Sequence, residues 1–315
     1  MKTADKLAKI PPYLFMELRK KINKAKAEGI DVISLAIGDP VEATPDSIID
    51  ELCATSRDPL NHRYPTDEEK GMLAYRREIA KWYETRFGVT LNPENEILGL
   101  IGSKEGCHHF IIARVNPDDI VLMTDPGYPA YRSSILLGGG VPYNVPILPQ
   151  NNYLPVFEDI PTDIAKKATA MFLNYPNNPT GACATLEFLD KLVEFARTYD
   201  IAVCYDNPYS EIVFSGQKRI SFLMAKGAKD VGIELNSLSK PFNMCGWRLG
   251  MACGNPELIA AISKVKENTD SGIFNPIQFA GIKALQNEAP FVDKMIELYG
   301  KRRELVLKTL KKIGI

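Results

Sequence analysis

Between about residue 95 and residue 265, short apolar runs bounded by turn residues alternate with longer segments whose apolar residues recur at helical spacing. This alternation predicts an α/β chain with a mainly parallel sheet and helices on its faces, because parallel strands must be joined by crossovers and a helix is the usual one. The strand-like runs are 96–101, 120–123, 168–173, 201–205, 232–236 and 248–253. Segments 104–114 and 185–199 read as helices, the second carrying Leu186, Leu189, Leu192, Val193, Phe195 and Ala196 at helical spacing. Such a sheet also says where chemistry belongs, since ligands bind outside the carboxyl ends of its strands.

The flanks read differently. An amphipathic helix over 14–28 is followed by an apolar run, 32–37, that leads into the turn Gly38-Asp39-Pro40. At the far end, 291–313 reads as one long charged helix with Val292, Met295, Ile296, Leu298, Leu305, Val306 and Leu310 spaced along it and little to pack against, so the chain looks cut short. A helix of that length is normally held by burial of its apolar stripe. The expected organisation is an N-terminal arm and part of a small domain at 1–45, a large domain at 46–287, and the start of an incomplete small domain at 288–315. A chain of 315 residues is long enough for one large domain plus part of another.

Composition excludes several classes. The 38 basic and 39 acidic residues leave a net charge of −1 with no long single-sign block, so nothing marks a nucleic-acid surface. No apolar run approaches the roughly 18 residues that span a bilayer, and Met1–Asp5 has no apolar signal core. No membrane partner and a cytoplasmic location are expected. Six cysteines contain no C-x-x-C pair and are expected to be reduced core residues. Three histidines offer no obvious zinc site or Ser-His-Asp triad, and no metal is expected. His108 and His109 lie in a helical pattern and read as structural.

Five predicted strand ends carry residues with chemical potential. After 232–236 comes Ser237-Leu238-Ser239-Lys240-Pro241, with Arg248 eight residues beyond the lysine. This supplies an amine nucleophile, two hydroxyls and a fixed cation for a phosphate, although so short a string also fits an exposed turn. After 201–205 come Asp206 and Tyr209. A carboxylate there could keep a pyridine ring cationic or simply cap a helix. Asn178 lies in the turn-rich segment 174–181 after a third strand, where turn chemistry alone would explain the composition. Gly102-Ser103-Lys104 opens a helix after a fourth and forms a natural phosphate seat, compatible with a plain serine cap. Tyr128, between Gly127 and Pro129, is placed to lie against a planar ligand or to pack. No nucleotide-binding glycine motif accompanies these residues.

Together, Asn-Asn-Pro-Thr-Gly at 177–181, Asp-x-x-Tyr at 206–209 and Ser-x-Ser-Lys followed by Arg248, in this order and spacing, resemble the class I/II aminotransferases of the fold-type I pyridoxal-phosphate enzymes. The resemblance covers essentially the whole chain. It implies a Schiff base between Lys240 and pyridoxal 5'-phosphate, with Lys240 also acting as general base. Asp206 would pair with the pyridine nitrogen, Tyr209 and Asn178 would bind the ring hydroxyl, and Tyr128 would stack on the ring. Ser103, Lys104, Ser237, Ser239 and Arg248 would hold the phosphate. Tyr64, within His62-Arg63-Tyr64-Pro65, would reach the phosphate of a neighbouring subunit, which implies a homodimer with shared sites. An amino acid and a 2-oxo acid would be the substrates.

Within that family, segments 10–15, 37–40, 102–106 and 268–274 resemble the diaminopimelate branch. That implies amino transfer between LL-diaminopimelate and 2-oxoglutarate in lysine synthesis, with Tyr13, Gly38, Lys104 and Asn275 at the substrate. The acidic stretch Thr66-Asp67-Glu68-Glu69-Lys70 departs from the family pattern, and its arginine for the substrate α-carboxylate finds no match before Ile315. Alanine, aspartate or aromatic aminotransferases, a C–S lyase of the same fold, and a catalytically incomplete binding module are the other readings.

Overall fold

A computed structural model describes residues 1–65, 70–214 and 216–314. Seven strands form one sheet: β1 (Ile97–Leu100), β2 (Ile120–Asp125), β3 (Val141–Pro146), β4 (Ala168–Asn174), β5 (Ala202–Asp206), β6 (Gly232–Ser237) and β7 (Gly250–Gly254). Their order across the sheet is β1-β7-β6-β5-β4-β2-β3. All pairs are parallel except those of β7, which runs antiparallel to both β6 and β1. Six strands therefore end at one edge of the sheet, and β7 begins there. All six expected strands are present within a residue or two of their predicted bounds.

Apart from the edge strand β3, the sheet is buried on both faces, which is why its other strands read as continuous apolar runs. Alternate residues feed two cores. Leu122, Met171, Leu173, Val203 and Met251 join one, with residues from the helices Leu73–Phe87 and Leu186–Tyr199. Val121, Phe172, Cys204 and Leu235 join the other, with residues from the helices Ser103–Arg114 and Pro256–Glu267. Strand β3 is invisible to the sequence reading because Pro142 and Pro146 look like breakers. At the sheet edge, where one side of the strand needs no ladder bonds, prolines are tolerated.

The flanking elements correct two expectations. The long terminal helix, Ala289–Lys312, does find packing: its first half buries apolar residues, and its second half is held by Arg302 on Glu42 and by Arg303, 5.2 Å over the Phe214 ring. Val292 and Met295 are buried, Asp293 pairs with Arg219 at 2.8 Å, and Leu305 and Leu307 stay exposed. The cysteines are all free, yet only Cys107, Cys204 and Cys253 are core residues; Cys53 is exposed, and Cys183 and Cys245 are half-buried. No helix among the described residues is long and apolar enough to cross a membrane.

Candidate active site

A cleft of about 550 Å³ opens over the carboxyl edge of the sheet. Twelve of the residues expected at the site line it: Ser103, Lys104, Tyr128, Asn178, Asp206, Tyr209, Ser237, Ser239, Lys240 and Arg248 from the large unit, with Tyr13 and Gly38 from the N-terminal segment. The topology explains the convergence. Each of the first nine lies at or just after the carboxyl end of β1, β2, β4, β5 or β6, whereas Arg248 precedes β7, whose reversed direction returns it to the same edge.

At the floor, Asp206 ends β5 and is 4% exposed. The Tyr131 phenol donates to its Oδ2 at 2.7 Å, while its Oδ1 is buried without a hydrogen-bond partner. Burial raises its pKa from 3.8 to about 6, against the opposing pull of the Tyr131 and Ser103 hydroxyls. An orphaned buried carboxylate oxygen costs free energy unless a donor arrives, and a protonated ring nitrogen is a donor of the right charge. Asn174 ties the neighbouring strand ends together: its Nδ2 donates to the Asp206 carbonyl and its Oδ1 accepts from the Asn178 N–H, both at 2.7 Å. Burial pushes the Tyr209 phenol up to about 12, with Asn178 hydrogen-bonded beside it, so Tyr209 stays a donor across ordinary pH.

The other end of the cleft is an anion cradle. The Ser103–Arg114 helix starts there with no side chain capping its first N–H groups, so they and the helix dipole face the cleft. The cap is Gly102 rather than Ser103, at φ 79°, and a Cβ on it would lie 2.4 Å from Arg248 Nη2. Only glycine lets the guanidinium approach so closely. Arg248 is itself held in the left-handed region at φ 57° and donates to the Cys245 carbonyl at 2.9 Å. The hydroxyls of Ser237 and Ser239 bond each other at 2.9 Å on the cradle's far side. Lys240, half-buried in the same cleft, donates through Nζ to the Gly38 carbonyl of the N-terminal segment.

Tyr13 closes the mouth, with Lys104 Nζ 4.9 Å over its ring. Burial, with Tyr13 alongside, drives the Tyr128 phenol well above its ordinary value. Tyr64 and Asn275 are not brought to this cleft. Tyr64 is 75% exposed, and Asn275 starts a helix next to Phe274, whose ring packs edge-on against His62. Of the acidic stretch, residues 66–69 lie outside the described residues. The sequence reading missed Tyr131, Asn174, Arg19, Asp39 and Cys245, all of them in or directly behind the cleft wall. Tyr131 alone carried a signal, standing one helical turn after Tyr128.

A carboxylate awaiting a cationic donor, a primary amine and a hydroxyl-lined anion seat at one strand edge suit a phosphorylated pyridine aldehyde, so the residues present fit pyridoxal phosphate. The chain belongs to the class I and II aminotransferases, a family whose model matches residues 30–315, and it is a pyridoxal-phosphate-dependent aminotransferase. More particularly, it is 50% identical to the LL-diaminopimelate aminotransferase of Halothermothrix orenii, over 100% of this chain and 80% of that protein. It is 48% identical to the protein of the same name from Aquifex aeolicus, over 99% and 79%. Among solved structures it resembles substrate-bound BacF from Bacillus subtilis, with a TM-score of 0.94 at 35% identity over 99% of this chain and 78% of that one. An aspartate aminotransferase from Thermus thermophilus gives a TM-score of 0.92 at 26% identity, over 100% and 81%.

Proposed function

We propose that this aminotransferase acts on LL-diaminopimelate and 2-oxoglutarate, in lysine synthesis. The observation that carries the reading is the single cleft that joins Lys240, the partnerless Asp206 Oδ1 and the Gly102–Arg248 cradle to Tyr13, Gly38 and Lys104. The relatives named for that substrate match the whole chain at about half identity, which supports the specificity.

Pyridoxal phosphate, when bound, supplies an aldehyde carbon to an amine and a ring that accepts the electron pair left by a departing α-proton. The protein does the rest. Asp206 Oδ1 accepts from the ring nitrogen and keeps it charged. Tyr209 and Asn178 donate to the ring oxygen, and Tyr128 covers the ring. Ser103, Lys104, Ser237, Ser239 and Arg248 hold the phosphate, the first two chiefly through backbone N–H groups. Lys240 would hold the cofactor through Nζ, and the same amine, once free, would be placed to take the substrate α-proton as general base. Tyr13 and Lys104 orient the substrate at the mouth.

The same reading makes the enzyme a cytoplasmic homodimer, with Tyr64 reaching the phosphate in the partner's cleft and Asn275 at the substrate, and divides the chain at 1–45, 46–287 and 288–315. The exposed position of Tyr64, away from its own cleft, supports this arrangement. The test is twofold. A visible absorption band of the cofactor-loaded protein should be lost in Lys240→Ala, and survival of the band unchanged would sink the site. Glutamate should form from LL-diaminopimelate and 2-oxoglutarate; glutamate from alanine or aspartate only would sink the specificity, and pyruvate with ammonia and no acceptor would indicate a lyase.

A further inference from the structure

Behind the cradle lies a second cluster of charges that the reaction does not touch. Lys266, near the end of the Pro256–Glu267 helix, is 0% exposed. Its Nζ lies 2.7 Å from Glu105 Oε1 and 2.7 Å from Asp270 Oδ1. His109 Nδ1 stands 3.3 Å from the same Glu105 oxygen. Ligand atoms of Glu105, His109 and Asp270 converge within 4.8 Å, as they would around a metal ion, but the ammonium already bonds two of them, so the positive centre is built into the chain.

A wholly buried lysine is rare. Its desolvation cancels much of what pairing returns, and an apolar residue often serves the fold equally well. The geometry shows what the ion pair adds. Glu105 uses its other oxygen, Oε2, to accept the Ile101 backbone N–H, immediately before Gly102 and the cradle. Asp270 uses Oδ1 to accept the Gly272 N–H at 3.0 Å, fixing the loop that leads to Asn275.

We propose that Lys266 is a positioning residue for the phosphate cradle: clamped between Glu105 and Asp270, its ammonium holds the turn entering the Ser103–Arg114 helix in register with the 270–275 loop. Without it, two buried carboxylates lose their counter-charge. Glu105 then protonates or swings toward water and releases Ile101, so Gly102 and the first helical N–H groups no longer stay where a phosphate needs them. This inference rests on the proposed phosphate site at the Ser103 helix start.

The test compares the wild-type protein with Lys266→Met and Glu105→Gln, measuring the dissociation constant for pyridoxal phosphate by absorbance titration and the melting temperature with and without cofactor. Lys266→Met is expected to raise the dissociation constant at least tenfold. Glu105→Gln keeps one carbonyl acceptor, enough for Lys266 or Ile101 but not both, and should raise it severalfold; it decides the matter if Lys266→Met does not fold. A lysine that only stabilises the fold would lower the melting temperature equally with and without cofactor and leave the dissociation constant in place. That result in both variants overturns this inference alone, whereas a wild-type protein that takes up no cofactor overturns the proposed site with it.

Discussion

Asp206 concentrates the electrostatic tension of the site. Its folded pKa of about 6 stands above the ordinary 3.8 because burial penalises the charged form. In the absence of a cation, that penalty is absent below the ordinary value, grows as pH rises between the two, and is complete above about 6. A ring N–H beside Oδ1 removes it. Below pH 6, binding a ring-protonated cofactor therefore expels a proton from Asp206, and affinity falls with falling pH. The logarithm of the cofactor dissociation constant should change more steeply between about pH 4 and pH 6 in the wild type than in Asp206→Asn; equal slopes would refute this role. The same substitution should lower kcat by roughly two orders of magnitude, the scale of removing one electrostatic partner at a reacting centre. At this scale the sequence was informative about Lys240 and Asp206, because each is a reactive group placed where an apolar run stops. It was silent about Asn174, whose part is to bridge two strand ends and which as a string of letters is only a turn residue.

Among elements, the strand-to-helix turn at Gly102 is the most constrained. Gly102→Ala would set a Cβ 2.4 Å from the Arg248 guanidinium on a backbone at φ 79°. It should cost about 1–3 kcal/mol of stability and weaken cofactor binding, as read by thermal melts and titration; a variant that binds cofactor as tightly as wild type would show that Arg248 does not need this approach. The terminal helix buries apolar side chains only in its first half, its second half being held by Arg302 and Arg303. Met295→Ala, at a buried position, should cost roughly 2–5 kcal/mol, and Leu305→Ala, at a position 66% exposed, should stay within about 0.5 kcal/mol in denaturant melts. The six buried or half-buried strands were legible because their alternation with helices leaves a periodic mark. The edge strand β3 was not, since its place is set by pairing with β2 and not by its own residues, two of them prolines.

At the level of the molecule, neither Tyr64, expected at a neighbouring subunit's phosphate, nor Asn275, expected at the substrate, lines the cleft of its own chain. If sites are shared, mixing Lys240→Ala with Tyr64→Ala subunits should restore activity that each variant lacks alone, because one site of the mixed dimer then carries neither change. No gain on subunit exchange, with exchange verified by mass, would make each site self-contained. Fold class was readable from the sequence and family from its motifs, whereas a shared site is implied only by the resemblance that sends Tyr64 to a neighbouring subunit, because such a residue becomes meaningful only beside another chain. The reversed strand β7 has a further consequence. Ser237 and Gly250 are paired across β6 and β7, so residues 238–249 form one excursion that leaves the sheet and returns beside its point of departure. That excursion holds both Lys240, expected to bond the cofactor's aldehyde carbon, and Arg248, expected to grip its phosphate. With those two roles, a single loop would take hold of the two ends of one small rigid molecule, and the cofactor would act on it as a clasp: the loop would not lift while the molecule is seated, nor the molecule leave until the loop lets go.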